Sequence, residues 1–244
     1  MKRYRRVRTV ICCLLVLLLT ILSGCGRTPL GGDDPAESST SIVEADPESL
    51  DDITMEGLVS EVLDQMTLEQ KIGQLFIVST DSLDFNAETK MTDQMKENIE
   101  KYQPGGVIFF SFNLTTKHNV NNNRKKLKRF IRKMQKYSEI PMFISVDEEG
   151  GTVARIANSD AMGTTKFLAM SEIGATGDSR QAYNVGATIG REIAELGFNL
   201  DFAPVADIST NADNTEIGSR SFGGDADLVS DMVSQEVRGL QDNG

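Results

Sequence analysis

Apolar residues in this chain fall into short continuous runs that alternate with longer segments of helical periodicity. The apolar runs cover 72–78, 105–110, 141–146 and 198–208. Between them lie segments such as 182–197, AYNVGATIGREIAELG, in which apolar residues recur every three or four positions. Strands that are apolar on both faces are typical of a parallel sheet covered by helices. The pattern therefore predicts an α/β fold with four parallel strands.

Four strand–helix units are compatible with two architectures. They form either half of a (β/α)₈ barrel or a small open doubly wound sheet, and periodicity does not distinguish the two. In both architectures the ligand site lies at the carboxyl ends of the strands. Polar residues that directly follow a strand are therefore the candidates for a functional site.

Acidic residues follow the third and fourth predicted strands. Asp147, Glu148 and Glu149 come directly after the third strand, and Asp207 closes the fourth. Carboxylates at this edge can accept hydrogen bonds from sugar hydroxyls or bind a cation, whereas inside the sheet their burial would be costly. The Gly150–Gly151 pair favours a sharp turn. Spacing alone leaves open whether the acidic triplet forms a binding site or a solvated loop.

The N-terminal segment has the order of a secretory signal. A basic stretch, MKRYRRVR, precedes the apolar stretch VICCLLVLLLTIL, which is short for a membrane span. The next residues, Leu22-Ser23-Gly24-Cys25, resemble the bacterial lipobox, which implies removal of residues 1–24 as a lipoprotein signal peptide and lipidation of Cys25. We therefore expect a lipid anchor on the extracytoplasmic face of the cell membrane. An uncleaved N-terminal anchor is the alternative.

Composition distinguishes a predicted tether from a predicted folded body, and the net charge argues against one class of partner. Residues 25–54 are rich in Gly, Pro, Ser and acids, which predicts a disordered acidic tether before a folded body at 55–244. The formal net charge of the chain is -11, and the predicted signal peptide contains basic residues but no acid. The mature chain is therefore more acidic still, which argues against nucleic acid as a general partner.

One basic segment stands out from this acidic background. RKKLKRFIRKMQKY, residues 124–137, places Leu127, Phe130, Ile131 and Met134 at helical spacing and leaves its basic residues on the opposite face. The simplest interpretation is an outer helix with a solvated charged face. The alternative is that this face attracts anionic lipid or wall polymer.

Three motifs resemble the N-terminal half of family 3 glycoside hydrolases, in particular the β-N-acetylglucosaminidase branch. They are VDEEGGTVAR, GFNLDFAPVADI and IGSRSFG, and KIGQLFIV and PGGVIFF fall where that family has its first two strands. The resemblance covers residues 58–244. It implies a TIM (β/α)₈ barrel of which this chain holds only the first four βα units, a truncated barrel.

The resemblance implies three substrate-binding residues. Asp147 matches the aspartate that binds hydroxyls of the non-reducing sugar, and Arg155 matches an arginine that lines the same pocket. Arg220 matches the arginine that reaches the sugar from the loop after the fourth strand. A carboxylate and a guanidinium suit a polyol because each can hold two adjacent polar groups in fixed orientation.

The resemblance implies that the catalytic groups are not among these residues. The retaining mechanism of this branch uses a nucleophilic aspartate and a His-Asp acid/base pair, which we expect beyond Gly244. The family motif K-H-F-P-G-H-G does not occur in the chain. We interpret the single histidine, His118, as a surface residue, Glu148 and Glu149 as loop structure, and Asp207 as a brace of its loop.

The function implied is that of a retaining exo-β-N-acetylhexosaminidase. It would release terminal N-acetylglucosamine from peptidoglycan fragments or chitooligosaccharides, with no cofactor and no metal, and this chain alone would be inactive. One alternative is a β-glucosidase or β-xylosidase of the same family. The other is a non-catalytic, surface-anchored carbohydrate-binding lipoprotein that closes its half-barrel by dimerising.

Overall fold

The computed structural model describes residues 55–86, 89–114 and 119–244. The predicted signal peptide, Cys25, the tether and His118 lie outside these ranges. Within the described part of the chain, no helix is long and apolar enough to cross a membrane.

Helices and strands alternate along the described residues. The helices are α1 Met55–Gln65, α2 Leu68–Gly73, α3 Thr80–Leu83, α4 Asp93–Tyr102, α5 Val120–Tyr137, α6 Met170–Gly174, α7 Ser179–Leu196 and α8 Ala226–Asn243. The strands are β1 Ile77–Ser79, β2 Gly106–Phe109, β3 Phe143–Val146, β4 Glu148–Gly150, β5 Val153–Ala154 and β6 Leu200–Asp201. Single turns of 3-10 helix cover Ser111–Asn113 and Gly218–Arg220.

Four strands form a parallel sheet in the order β1-β2-β3-β6, and β4 and β5 form a separate antiparallel hairpin. Val107 of β2 lies opposite Val78 on one side and Ile144 on the other. Each strand of the sheet thus lies beside the next one along the chain, with helices in the connection. A doubly wound sheet would instead reverse its order at a switch point. The predicted half of a (β/α)₈ barrel is confirmed.

Helix α5 packs its apolar side against the sheet. The four residues predicted to share that side, Leu127, Phe130, Ile131 and Met134, are all buried. The ring of Phe130 meets that of Phe109 edge to face, with centroids 5.6 Å apart, and Phe109 meets Phe198 in the same way at 5.5 Å. The amphipathic interpretation of this helix is therefore confirmed, and its basic side faces outward.

Helices α7 and α8 pack so closely that their backbones are in contact. A Cβ atom added to Gly186 would lie 2.2 Å from the carbonyl oxygen of Glu236, so no side chain fits at that position. This close approach accompanies complete burial of the Glu236 side chain, which is 0% exposed.

Two predicted strands differ from the observed ones. The run 72–78 begins as helix, because the side chain of Thr67 accepts a hydrogen bond from the backbone N–H of Gln70 in a capping box that starts α2. The run 198–208 is a strand only at Leu200–Asp201, since Val146, opposite Asp201, is the last residue of β3. Among the described residues β6 pairs with β3 alone, so its ladder ends where β3 ends.

Both edges of the sheet are open within the described ranges, because β1 and β6 each pair with one strand. Beside β6 lies a groove of about 240 Å³ whose lining includes Leu200, Asp201, Val237 and Leu240. Leu75, just before β1, is 82% exposed. The sheet therefore presents apolar groups at each open edge, as expected of an incomplete barrel.

Candidate functional site

A tight hairpin forms at the carboxyl end of β3. Gly150 and Gly151, in its turn, have φ angles of 86° and 56°. A Cβ atom on Gly151 would also lie 2.8 Å from the Cα of Ala169. These positions therefore require glycine, as the sequence predicted. The turn directs the chain back on itself and returns Arg155 to the side of Asp147.

Asp147 and Arg155 form an ion pair at the open end of this hairpin. The Oδ2 of Asp147 accepts hydrogen bonds from Nη2 of Arg155 at 3.1 Å and from Nε at 3.4 Å. The backbone N–H of Arg155 also donates to the carbonyl of Asp147 at 3.1 Å. The side chains are 33% exposed for the arginine and 20% for the aspartate, so a ligand in solvent can reach both. Two of the three predicted sugar-binding residues are thus neighbours.

An aromatic pair lies beside Arg155. Its guanidinium carbon is 5.9 Å from the ring centroid of Phe110, within the range of a cation–π contact. Phe110 in turn stacks on Phe112 with centroids 5.8 Å apart, and the Phe112 side chain is partly exposed. The ion pair is therefore bordered on one side by apolar surface from the end of β2.

Glu148 holds the backbone of the segment that follows the hairpin. Its Oε2 accepts from the N–H of Ile156 at 2.7 Å, and its Oε1 accepts from the N–H of Ala157 at 2.9 Å. Its own N–H donates to Oδ1 of Asp201 at 2.9 Å. Burial raises the pKa of Glu148 to about 7, against the two N–H bonds that lower it. The side chain is a buried brace that fixes the residues directly after Arg155.

Glu149 binds Arg220 across a separation of 71 residues. Its two carboxylate oxygens accept from Nε and Nη2 of Arg220 at 2.8 and 2.7 Å, a bidentate pair. The Glu149 side chain is 6% exposed and that of Arg220 is 29% exposed. Nη1 of Arg220 donates to the carbonyl of Glu216 at 3.0 Å. The pair therefore fastens the loop after β6 to the hairpin that carries Asp147.

Glu148 and Glu149 have the structural role that the sequence suggested, but they lie in a strand and not in a loop. Both lie in β4, both are buried, and each binds a different part of the chain. The hairpin register shifts between Glu148 and Gly150, so Glu149 lies at a bulge, and the two adjacent acids have different partners. The partners could not be identified from the sequence, because no local pattern indicates this bulge.

Asp207 contributes its backbone to its loop. The hydroxyl of buried Ser221 donates to the carbonyl oxygen of Asp207 at 2.6 Å. The side chain of Asp207 is exposed. The loop is therefore braced at the position that the sequence indicated, by the carbonyl group of Asp207.

The arrangement suits a neutral polar ligand. Two carboxylates and two guanidinium groups, from Asp147, Glu149, Arg155 and Arg220, balance one another in charge. Among the described residues, no group of three or more His, Cys, Asp or Glu side chains is placed to hold a metal ion. These side chains offer fixed hydrogen-bond donors and acceptors to a ligand.

Comparison with protein families gives the class. The model of the glycosyl hydrolase family 3 N terminal domain matches residues 67–244, well over half of the chain. This chain belongs to that family, and the matched residues lie in its N-terminal domain.

The relatives are named as hexosaminidases. Beta-hexosaminidase A of Pseudoalteromonas piscicida is 33% identical over 159 residues, 64% of this chain and 26% of that protein. A family 3 β-N-acetylglucosaminidase from Paenibacillus sp. str. FPU-7 superposes with a TM-score of 0.62 at 35% identity, over 72% of this chain and 31% of that one. NagZ from Neisseria gonorrhoeae, solved in complex with N-trifluoroacetyl-D-glucosamine, gives 0.57 at 25% identity, over 68% and 46%. The chain thus spans less than half of each of these proteins.

Proposed function

We propose that this chain forms the sugar-binding part of the active site of a retaining exo-β-N-acetylhexosaminidase. The observation that carries the proposal is the pairing of Asp147 with Arg155 and of Glu149 with Arg220 at the carboxyl end of β3. The site lies in a family 3 N-terminal domain. Relatives named β-hexosaminidase and β-N-acetylglucosaminidase support N-acetylglucosamine as the sugar, released from peptidoglycan fragments or chitooligosaccharides.

The proposed roles are those that the family resemblance implies, and the geometry of the site supports them. Asp147 accepts hydrogen bonds from neighbouring sugar hydroxyls, while Arg155 and Arg220 donate to sugar oxygens. Glu149 fixes the guanidinium plane of Arg220 before the sugar binds, so little side-chain entropy remains to be lost on binding. Since both arginines are already paired with carboxylates, a neutral sugar is a better ligand than a phosphate or a sulfate.

The catalytic groups are proposed to come from residues outside this chain. The family motif with the catalytic histidine does not occur in the sequence, and the only histidine, His118, precedes α5. The resemblance to the family supports a His-Asp acid/base pair and an aspartate nucleophile in the residues that follow. This chain therefore binds the sugar without hydrolysing it.

The cellular location is part of the same proposal. The lipobox-like sequence that ends at Cys25 supports lipidation of that residue and an anchor on the extracytoplasmic face of the cell membrane. The substrate would then be glycan outside the cytoplasm, such as peptidoglycan fragments.

The test is to isolate the native protein from its own membranes and to measure its intact mass and its hydrolysis of aryl glycosides. We expect a mass above that of residues 25–244 and release of N-acetylglucosamine in preference to glucose, with no turnover by residues 1–244 alone. Preference for a β-glucoside or a β-xyloside would favour the alternative branch of the family. A native protein of the mass of this chain that binds N-acetylglucosamine without cleaving an aryl glycoside would favour the carbohydrate-binding lipoprotein.

A further inference from the structure

Helix α5 has a charge composition opposite to that of the chain. Its 18 residues include eight basic side chains and no acidic one. The formal net charge of the whole chain is -11. Nearly a third of all the lysines and arginines, eight of 25, therefore lie on one helix.

The basic side chains of α5 face solvent. The apolar side of the helix is buried against the sheet, which leaves the opposite side outermost. Six basic residues are exposed, namely Lys125, Lys126, Arg129, Arg132, Lys133 and Lys136. We call these six the basic face. The helix is about 27 Å long at about 1.5 Å per residue, so the basic face is an elongated strip of positive charge.

Few contacts within the described ranges neutralise this strip. Within the described ranges, Arg124 is the one basic residue of α5 in a salt bridge, with Oε2 of Glu195 at 2.9 Å. At the other end of the helix, Nζ of Lys136 lies 5.9 Å from the ring centroid of Tyr137, and Nζ of Lys96 lies 5.3 Å from the same ring. The charges of the basic face are thus available to an external anion.

We propose that the basic face binds the surface of a bilayer that contains anionic lipid. A strip of six cations about three helical turns long matches an extended array of negative charges better than a single small anion. The acidic remainder of the chain is repelled by the same surface, so binding through α5 also orients the body. The sequence prediction of a lipidated Cys25 is the reason for choosing a bilayer over a soluble polyanion.

This orientation leaves the candidate site accessible. Helix α5 covers the sheet through residues such as Phe130, whereas the site lies on the hairpin after β3. None of the basic face residues contacts Asp147, Arg155 or Arg220 in the described hydrogen bonds and ion pairs. The proposal is therefore independent of the proposed activity and can fail separately from it.

The experiment is lysine footprinting on the full chain reconstituted in vesicles. Acetylation rates of individual lysines are measured by mass spectrometry on neutral phosphatidylcholine vesicles and on vesicles with added phosphatidylglycerol. We expect Lys125, Lys126, Lys133 and Lys136 to react about fivefold more slowly on the anionic vesicles at low salt. The protection should be lost near about 1 M salt, where the Debye length is about 3 Å. Exposed Lys166, which lies outside α5, should react equally on both.

A charge-reversal variant and a matched control separate local binding from net charge. The first variant carries K125E, R129E, K133E and K136E, and the control carries K71E, K90E, R191E and R238E, all at exposed positions. Protection of the remaining Lys126 should disappear in the first variant and persist in the second. Equal acetylation of the α5 lysines on both kinds of vesicle would overturn the proposal. So would loss of protection in both variants, or protection by soluble polyphosphate without protection by vesicles.

Discussion

Two groups of buried carboxyl groups lie close together in this fold and differ in their partners. In the hairpin, Glu148 accepts two backbone N–H bonds and Glu149 accepts a bidentate pair from Arg220. At the open edge, Asp201 uses one oxygen to accept from Glu148, while its Oδ2 has no partner among the described residues. Neither carboxylate oxygen of Glu236 has a hydrogen-bond partner among the described residues.

The difference in partners gives the two groups opposite effects on stability. A buried carboxylate with fixed donors organises the chain around it, whereas one without donors destabilises the fold when it ionises. Burial raises the pKa of Glu236 to about 8, and nearby Asp201 and Glu149 add to the shift by charge repulsion. Burial likewise raises the pKa of Asp201 to about 7. The hairpin acids therefore build the candidate site. Ionisation of the edge acids destabilises the described fold as the pH rises, as does ionisation of Glu148, whose pKa burial also raises.

The sharpest test of this contrast is to substitute Met for Glu148 in the hairpin and, separately, for Glu236 at the open edge. The larger effect is expected at Glu148. Glu148→Met leaves the N–H groups of Ile156 and Ala157 buried without acceptors. We expect a loss of about 3–5 kcal/mol in the free energy of unfolding, measured by urea denaturation. Glu100→Met, at an exposed position of α4, serves as the control and should cost less than about 0.5 kcal/mol. A loss below about 1 kcal/mol at Glu148 would show that it is not a brace.

The pH dependence of the unmodified protein follows from the raised pKa values. Between an unfolded pKa near 4 and the folded values of about 7 to 8, the folded state binds more protons than the unfolded state. The stabilisation is thus complete below about pH 4 and is lost as the pH rises through 7 to 8. We expect the free energy of unfolding to fall between about pH 5 and pH 8, by about 3 kcal/mol for each of these groups that titrates independently of the others. A stability that rises over this interval would contradict the assignment.

Glu236→Met should act in the opposite direction to Glu148→Met. Removal of a buried carboxyl group without partners should raise the free energy of unfolding by about 2 kcal/mol at pH 8 and change it little at pH 5. Urea denaturation at the two pH values measures both effects. Destabilisation at pH 8 would mean that Glu236 has a stabilising partner, and the contrast between the two groups would then fail.

Glu149→Gln tests whether the hairpin acids serve the site as well as the fold. The variant keeps the shape of the side chain but loses the charged bidentate pair with Arg220. We expect affinity for N-acetylglucosamine to fall about tenfold in calorimetric titration. Glu216→Gln is the matched control, because Arg220 contacts only its backbone carbonyl. If the Glu149 variant and the unmodified chain bind N-acetylglucosamine with equal affinity, then the pairing of Arg220 with Glu149 does not contribute to sugar binding.

The smallest effect is expected at Asp207. Its carboxylate is exposed, and its contact with Ser221 uses the backbone carbonyl. Asp207→Ala should change both the free energy of unfolding and sugar affinity by less than about 0.5 kcal/mol. A larger loss of affinity would place the Asp207 side chain in the sugar pocket.

Features with a local sequence pattern could be predicted, and features that join distant residues could not. The helical spacing of Leu127, Phe130 and Met134 identified the buried side of α5 correctly. Arg155 follows Asp147 by eight residues across a Gly-Gly turn, and the structure places the two in contact. The Glu149–Arg220 pair spans 71 residues, and no local sequence pattern predicts it.

Competing local signals explain the errors in the strands. An apolar run such as 72–78 fits a strand, but the helix that starts at the capping box of Thr67 extends into this run as far as Gly73. The length of β6 depends on where β3 ends, which is a property of the pairing and not of the β6 sequence. Periodicity left open the choice between a half-barrel and a doubly wound sheet. The resemblance to family 3 implied the half-barrel, and the observed strand order confirms it.

The central claim is that the hairpin acids hold Arg155 and Arg220 in one sugar pocket. The most direct measurement follows the guanidinium Nε–H signals of all arginines by NMR while N-acetylglucosamine is added. The account predicts that the signals of Arg155 and Arg220 shift together with one dissociation constant, that those of Arg124 and Arg180 do not shift, and that Asp147→Asn abolishes both shifts. Shifts at only one of the two arginines, or different dissociation constants at the two, would contradict it.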